Sequence, residues 1–186
     1  MSEIILASAS PRRQELLKDV VSDFKVVVSC ADEVVPSGTK TEDIPKHLAL
    51  IKASDVLNTN PDSVVIGSDT IVVIDDKVLG KPKDEQDAFL MLKALSGRKH
   101  FVMTGCAIVS LQKKVSFTVK TEVEFFELTD EEINSYIKTR DSFDKAGAYG
   151  IQSQGKTLVK AIYGDYYSVV GLPVGQLKRE LEKFLK

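Results

Sequence analysis

The run Ser63-Val64-Val65-Ile66-Gly67-Ser68-Asp69-Thr70-Ile71-Val72-Val73-Ile74 constrains the chain more than any other stretch. It is rich in β-branched residues and bounded by turn formers, Pro61-Asp62 before and Asp75-Asp76 after, so it predicts a strand. It is too short for a membrane-spanning helix. Gly67 to Thr70 nevertheless form a polar island with a charge in its middle. Burying an unpaired carboxylate is costly, so Asp69 is expected to face a hydrogen-bond network, a metal or a cleft. The plain alternative is a structural aspartate bonded to backbone N–H groups at a strand break.

Asp75-Asp76-Lys77 suits a hairpin turn, with Val78-Leu79 returning to Gly80-Lys81-Pro82-Lys83. This hairpin would carry Lys81 back toward the level of Asp69. An acid and a lysine at one cleft edge are what phosphate chemistry needs, one to handle a metal or water and one to neutralise oxygens.

A second strand-to-turn junction opens the chain. Ile4-Ile5-Leu6 suits a short buried strand, and Ser10-Pro11 reads as a helix N-cap followed by proline at the first helical position. Arg12 and Arg13 then fall in the first turn, where the macrodipole is positive and disfavours cations unless an anion joins them. Two readings stand. The arginines point to solvent or pair with acids such as Glu15; or they form a phosphate site with the Ser8 and Ser10 hydroxyls.

Phe24 to Val28 reads as a strand and Ser29 to Thr41 as a polar loop carrying Glu33, at a position that in α/β proteins is either solvated or faces a ligand crevice. Asp43 to about Leu57 reads as a helix whose apolar stripe is Leu48, Ala49, Ala53 and Val56, with Lys52 on or beside it. That lysine either lays its stem over apolar surface or reaches a cleft anion. Helices are also expected over Asp84 to Leu95, from the capping box at Thr129 to Thr139, and from Pro173 to Lys186 with Val174, Leu177, Leu181 and Phe184 inward. Strands are expected over His100 to Leu111 and Val115 to Phe126. Ser142 to Gly155 is a glycine-rich loop suited to close approach to a ligand or another backbone segment, and Gly164 to Tyr167 and Gly171 to Pro173 are turns. Strand and helix alternate throughout, which predicts an α/β fold.

The 186 residues fit one domain spanning 1–186, with room for two lobes. A formal net charge of -2 argues against a general nucleic-acid binder. Cys30 and Cys106 suit core or strand-end positions rather than a disulfide, and the opening Met1-Ser2-Glu3 carries no signal-peptide pattern, so a reduced, cytoplasmic setting is expected. His47 and His100 are too isolated to build a histidine–cysteine metal site.

Ser8-Ala9-Ser10-Pro11-Arg12-Arg13, Gly67-Ser68-Asp69-Thr70, Gly80-Lys81-Pro82, the run Asp144 to Gln152 and Gly171-Leu172-Pro173, taken together and in order, resemble the Maf family, in the branch that acts as dTTP/UTP pyrophosphatases. The resemblance implies a long mixed sheet flanked by helices, with two lobes around a deep cleft, as in the inosine triphosphatase group. It implies hydrolysis of a nucleoside triphosphate between the α and β phosphates, giving the monophosphate and pyrophosphate, with a divalent cation. Such members are cytoplasmic, house-cleaning enzymes and often homodimers; neither a stable nucleic-acid partner nor a membrane is implied.

Carried over by position, the resemblance implies Asp69 as the catalytic and metal-binding aspartate and Glu33 as a second metal ligand. Arg12, Thr70 and Gln152 would be the base-discriminating positions, and Ser8, Arg13, Lys52 and Lys81 cleft contacts to the substrate. An oxygen-only ligand set favours Mg²⁺ or Mn²⁺, and the Gln152 amide offers the donor and acceptor that a pyrimidine edge requires. Ser153 departs from the family pattern, which often has glycine there, and bears on loop geometry. The alternatives are a nucleotide-binding regulator of cell division and septum formation that acts without turnover, and the same hydrolysis on another nucleotide such as a methylated purine triphosphate.

Overall fold

The structure is a computed structural model, and it describes residues 3–186; Met1 and Ser2, on which the signal-peptide reading partly falls, lie outside the described residues. Strands β1 (Ile4–Leu6), β2 (Lys25–Val26), β3 (Val64–Ile74), β4 (Lys77–Leu79), β5 (Lys99–Val109), β6 (Lys114–Phe125) and β7 (Val159–Tyr163) form one sheet. Its order is β2-β1-β3-β5-β6-β7, with β4 paired to β3. The sheet is mixed: β1 runs parallel to both β2 and β3, whereas β4 lies antiparallel to β3 and β7 antiparallel to β6. The helices are α1 (Pro11–Leu17), α2 (Ile44–Thr59), α3 (Glu85–Leu95), α4 (Asp130–Lys138), α5 (Tyr166–Val170) and α6 (Val174–Phe184). A mixed α/β fold follows.

The chain makes two compact units. One comprises the chain up to Thr70 with Thr104–Val119 and Gly171–Lys186; the other comprises Ile71–Met103 and Lys120–Val170. In the first, Ile5 and Val65 of the strands, with Ala7 just beyond β1, pack on Ala49, Ala53 and Val56 of α2, the stripe that the 3.6-residue period marks out. Two glycines bring α2 down hard on the sheet: a Cβ at Gly67 of β3 would overlap the carbonyl oxygen of Ala49, and one at Gly105 of β5 the backbone of Pro45 and Lys46. In the second unit, Ala88, Leu92 and Leu95 of α3 and Ile133 and Ile137 of α4 share a core with Val123 and Phe125 of β6.

Local chemistry accounts for most element ends. The Asp84 side chain accepts from the Asp87 N–H at the start of α3, and Thr129 and Glu132 form the reciprocal capping box of α4. Asp75 (φ 49°) and Asp76 (φ 58°) are both left-handed, as the tight hairpin between β3 and β4 requires.

Four expectations are corrected. The strand expected over 24–28 reduces to Lys25–Val26, an exposed edge pair with little apolar burial. Residues 142–155 are not all loop, since Ala146–Ala148 and Gln154–Thr157 form 3-10 turns. Tyr166 begins a short helix rather than closing a turn. The edge strand β7 has no counterpart among the predicted elements, because its short sequence Val-Lys-Ala-Ile-Tyr carries too few residues to establish a period.

Candidate functional site

In the first unit, Asp69 lies inside the almost continuously buried strand β3, and only 9% of its surface is exposed. Its counter-charge comes from α2: Lys52 Nζ is 2.6 Å from Asp69 Oδ1 and 3.1 Å from Glu33 Oε1. One ammonium therefore bridges the two carboxylates singled out from the sequence. The Lys52 and Asp69 side chains are 16% and 13% exposed, whereas Glu33 is 50% exposed, so the inner pair is the more shielded from solvent. The Gly67 contact explains the pairing: Lys52 follows Ala49 by one helical turn and Asp69 follows Gly67 on the same strand face, so the close backbone approach sets both side chains opposite each other.

Glu33 is held by its loop. Asp55, one turn beyond Lys52 on α2, accepts from the Ser29 hydroxyl at 2.7 Å and the Cys30 N–H at 2.9 Å. These bonds, Ser29 first, lower the Asp55 pKa below the usual carboxylate value. Nothing in the sequence distinguished Asp55 from an ordinary solvated helix residue.

The second cation of this unit is Arg13. Its guanidinium bonds to three oxygens. Its Nε donates to the Gly171 carbonyl at 3.0 Å, Nη1 to Ser8 Oγ at 3.3 Å and Nη2 to Thr70 Oγ1 at 3.1 Å. Thr70 Oγ1 is also 2.8 Å from Thr104 Oγ1, and the Ser68 hydroxyl donates to the same Gly171 carbonyl at 3.0 Å. Gly171 is left-handed (φ 129°), a conformation that keeps its carbonyl between two donors and that side-chain-bearing residues rarely take. These three acceptors are neutral, so none of them cancels the guanidinium charge. Burial lowers its pKa from the ordinary arginine value, and the negative charge of Asp69 is the largest opposing influence. Arg12 beside it is half-buried.

Ser10 is the N-cap residue of α1 by backbone geometry, but its side chain makes no cap bond. Its N–H instead donates to Ser8 Oγ at 3.3 Å, so the buried Ser8 hydroxyl gathers both the turn and Arg13. The structure thus brings Ser8, Arg13 and Thr70 together, and separately Glu33, Lys52 and Asp69. Lys81 and Gln152 belong to the second unit, and both are exposed there. Among the described residues no group of three or more His, Cys, Asp or Glu side chains is placed to hold a metal ion. Asp69 and Glu33 nonetheless already share one cation, and two carboxylates are a donor set that Mg²⁺ or Mn²⁺ accepts alongside substrate phosphates.

A sequence model described as "Maf-like protein" matches residues 3–184. The chain belongs to the Maf family. This Maf-family chain is 50% identical over 184 residues to a dTTP/UTP pyrophosphatase of Bacillus cereus, covering 99% of this chain and 96% of the relative. It is 52% identical over the same length to a dTTP/UTP pyrophosphatase of Bacillus cytotoxicus, again covering 99% and 96%. Among solved structures it resembles the Ham1 protein of Staphylococcus aureus (TM-score 0.57, 14% identity, 98% of this chain and 99% of that one). A HAM1 protein from Coxiella burnetii is similar (TM-score 0.56, 17% identity, 98% and 100%). At such low identity the Ham1 likeness speaks to the Maf-family fold alone. Among the described residues no helix is long and apolar enough to cross a membrane.

Proposed function

We propose that this Maf-family protein hydrolyses dTTP and UTP to the nucleoside monophosphate and pyrophosphate. The observation that carries the reading is half-identity, over nearly the full length of both chains, to relatives named for that activity. The geometry of the first unit supports it, because a shielded carboxylate lies beside a fixed ammonium, and the unit also fixes a guanidinium by bonds to three neutral acceptors.

Water attacks the α-phosphorus, the bond to the bridging oxygen breaks, and pyrophosphate leaves. Asp69 accepts the proton of the attacking water. Lys52 and Arg13 meet the charge that develops on the phosphate oxygens, a contribution of about 3 kcal/mol for a well-aimed donor. Arg12 and Ser8 are further substrate contacts beside Arg13. Lys81 carries over from the family pattern as a phosphate contact, and Thr70 and Gln152 as contacts to the base. Asp69 and Glu33 are the residues that would hold Mg²⁺ or Mn²⁺. When bound, such an ion neutralises phosphate oxygens and lowers the pKa of its water. A homodimer in the cytoplasm, as in other members of the family, completes the reading.

Incubating the purified protein with Mg²⁺ and UTP, dTTP, CTP, ATP, GTP and a methylated guanosine triphosphate, then separating the products, tests it. UMP and TMP with pyrophosphate are expected, at rates well above those for the other nucleotides. Preference for a purine would reassign the substrate. A diphosphate product would move the cleaved bond, and binding without turnover would favour a regulator of septum formation.

A further inference from the structure

Residues 141–155 of the second unit are built around one carboxylate that the proposed chemistry does not use. Asp141 Oδ2 accepts from the Tyr136 hydroxyl at 2.8 Å and from the Ser153 hydroxyl, and Oδ1 accepts from Lys145 Nζ at 2.9 Å. The Tyr136 oxygen in turn accepts from the Gly150 N–H at 3.2 Å, and Ser153 Oγ lies 3.3 Å from the Gly150 carbonyl. Lys145 is fully committed, since its Nζ also donates to the Asp141 carbonyl and to Asp144 Oδ1, each at 2.6 Å.

The network is partly buried: the Asp141 and Lys145 side chains are 17% and 10% exposed. Burial works to raise the Asp141 pKa, but the bonds from Ser153, Lys145 and Tyr136 overcome it and hold the group below the usual carboxylate value. Burial and the neighbouring Asp141 raise the Tyr136 pKa, so its hydroxyl stays a donor. The backbone is packed to match. A Cβ on Gly150 would overlap the Lys145 side chain, and one on Gly155 would come within 2.6 Å of the Gly150 carbonyl oxygen and 3.0 Å of the Tyr136 hydroxyl.

Gln152 is exposed and lies between two residues tied to this carboxylate, Gly150 through Tyr136 and Ser153 directly. A glutamine amide tells bases apart only while its donor and acceptor ends are held in one order. Turned over, it suits a base with the complementary edge.

We propose that Asp141 and Ser153 are positioning, specificity-determining residues: by fixing residues 150–153 they hold the Gln152 amide in one orientation and so set how sharply triphosphates are discriminated by base. The inference rests on the reading of Gln152 as a base contact.

The test compares kcat and KM for UTP and CTP in wild type, Ser153→Ala, Ser153→Thr, Asp141→Asn and Gln152→Ala, with thermal unfolding of each. Ser153→Ala is expected to cut the UTP-over-CTP ratio of kcat/KM roughly tenfold, the factor that a lost hydrogen bond to a charged group carries. The loss should lie mainly in KM for UTP, and Ser153→Thr, which keeps the hydroxyl, should restore the ratio. Asp141→Asn should lower the ratio further; if it fails to fold, the Ser153 pair decides alone. An unchanged ratio in Ser153→Ala, with the ratio lost in Gln152→Ala, overturns the positioning role while leaving the base contact standing. An unchanged ratio in Gln152→Ala removes the base contact and this inference with it.

Discussion

The Lys52 ammonium, 2.6 Å from Asp69 and 3.1 Å from Glu33, makes the two carboxylates and the lysine depend on one another. Asp69→Asn keeps the shape but removes the proton acceptor, and pyrophosphate release should fall by a factor of about 10² to 10⁴, the span of general-base contributions. Lys52 retains Glu33, so a folded protein with near-normal circular dichroism is expected. Substantial residual turnover would reassign the base. Lys52→Met acts in the opposite sense on metal binding. A divalent ion in wild type must compete with an ammonium already between its ligands, and at a few ångströms a unit charge is worth about 1 to 4 kcal/mol, depending on screening. Calorimetric titration with Mn²⁺ in the absence of nucleotide should therefore show roughly tenfold or tighter binding in the variant, with turnover lowered. Equal or weaker Mn²⁺ affinity would show that the lysine does not occupy the ion's place.

At the scale of elements, the pairing of α2 with β3 is what delivers Lys52 to Asp69. Gly67→Ala places a methyl against the Ala49 carbonyl, a rigid backbone atom rather than a yielding side chain. Overpacking of this kind costs about 1 to 3 kcal/mol, and because the displaced helix carries Lys52, kcat should fall along with the urea midpoint. Gly80→Ala is the matched control: a Cβ there meets nothing within 4 Å, so its stability should stay within about 0.5 kcal/mol of wild type. Equal losses in both would remove the close-packing explanation. The stripe of α2 was legible from Leu48, Ala49, Ala53 and Val56, and Asp69 was legible because a charge inside so apolar a strand demands a partner. Long-range partners were not. The Gly171 carbonyl that Arg13 uses lies 158 residues away in the chain, and no local period connects them. Asp55 and Asp141 look like ordinary solvated acids until the loops they tie down are folded around them.

For the molecule as a whole, one buried histidine outside the proposed chemistry bears on stability in mild acid. His100 is 1% exposed, its Nε2 lies 2.8 Å from the Tyr149 hydroxyl, and Phe125 and Tyr149 pack edge-on against its ring. Among the described residues its Nδ1 has no hydrogen-bond partner. Loss of solvation lowers the His100 pKa to about 4, whereas an unfolded histidine titrates near 6.5. The unfolded chain therefore takes up a proton that the folded chain refuses as pH falls through this interval, and folding loses about 1.4 kcal/mol per pH unit. The contribution is fully present above about pH 6.5 and gone below about pH 4, roughly 3 kcal/mol in all. Between pH 7 and pH 5 general charge repulsion does not mimic it, because the isoelectric point, near 5.8, lies between the two and net charge passes through zero there. Carboxylates with lowered pKa values, such as Asp55 and Asp141, begin to lose their contribution below about pH 5, where the unfolded carboxylates take up protons, and lose it in full only once the folded groups protonate as well. Urea denaturation at pH 7 and pH 5 should show wild type losing about 2 kcal/mol. His100→Leu should start lower, because Tyr149 loses its partner, and then change little between the two pH values. A parallel decline in both proteins would place the acid sensitivity elsewhere in the chain.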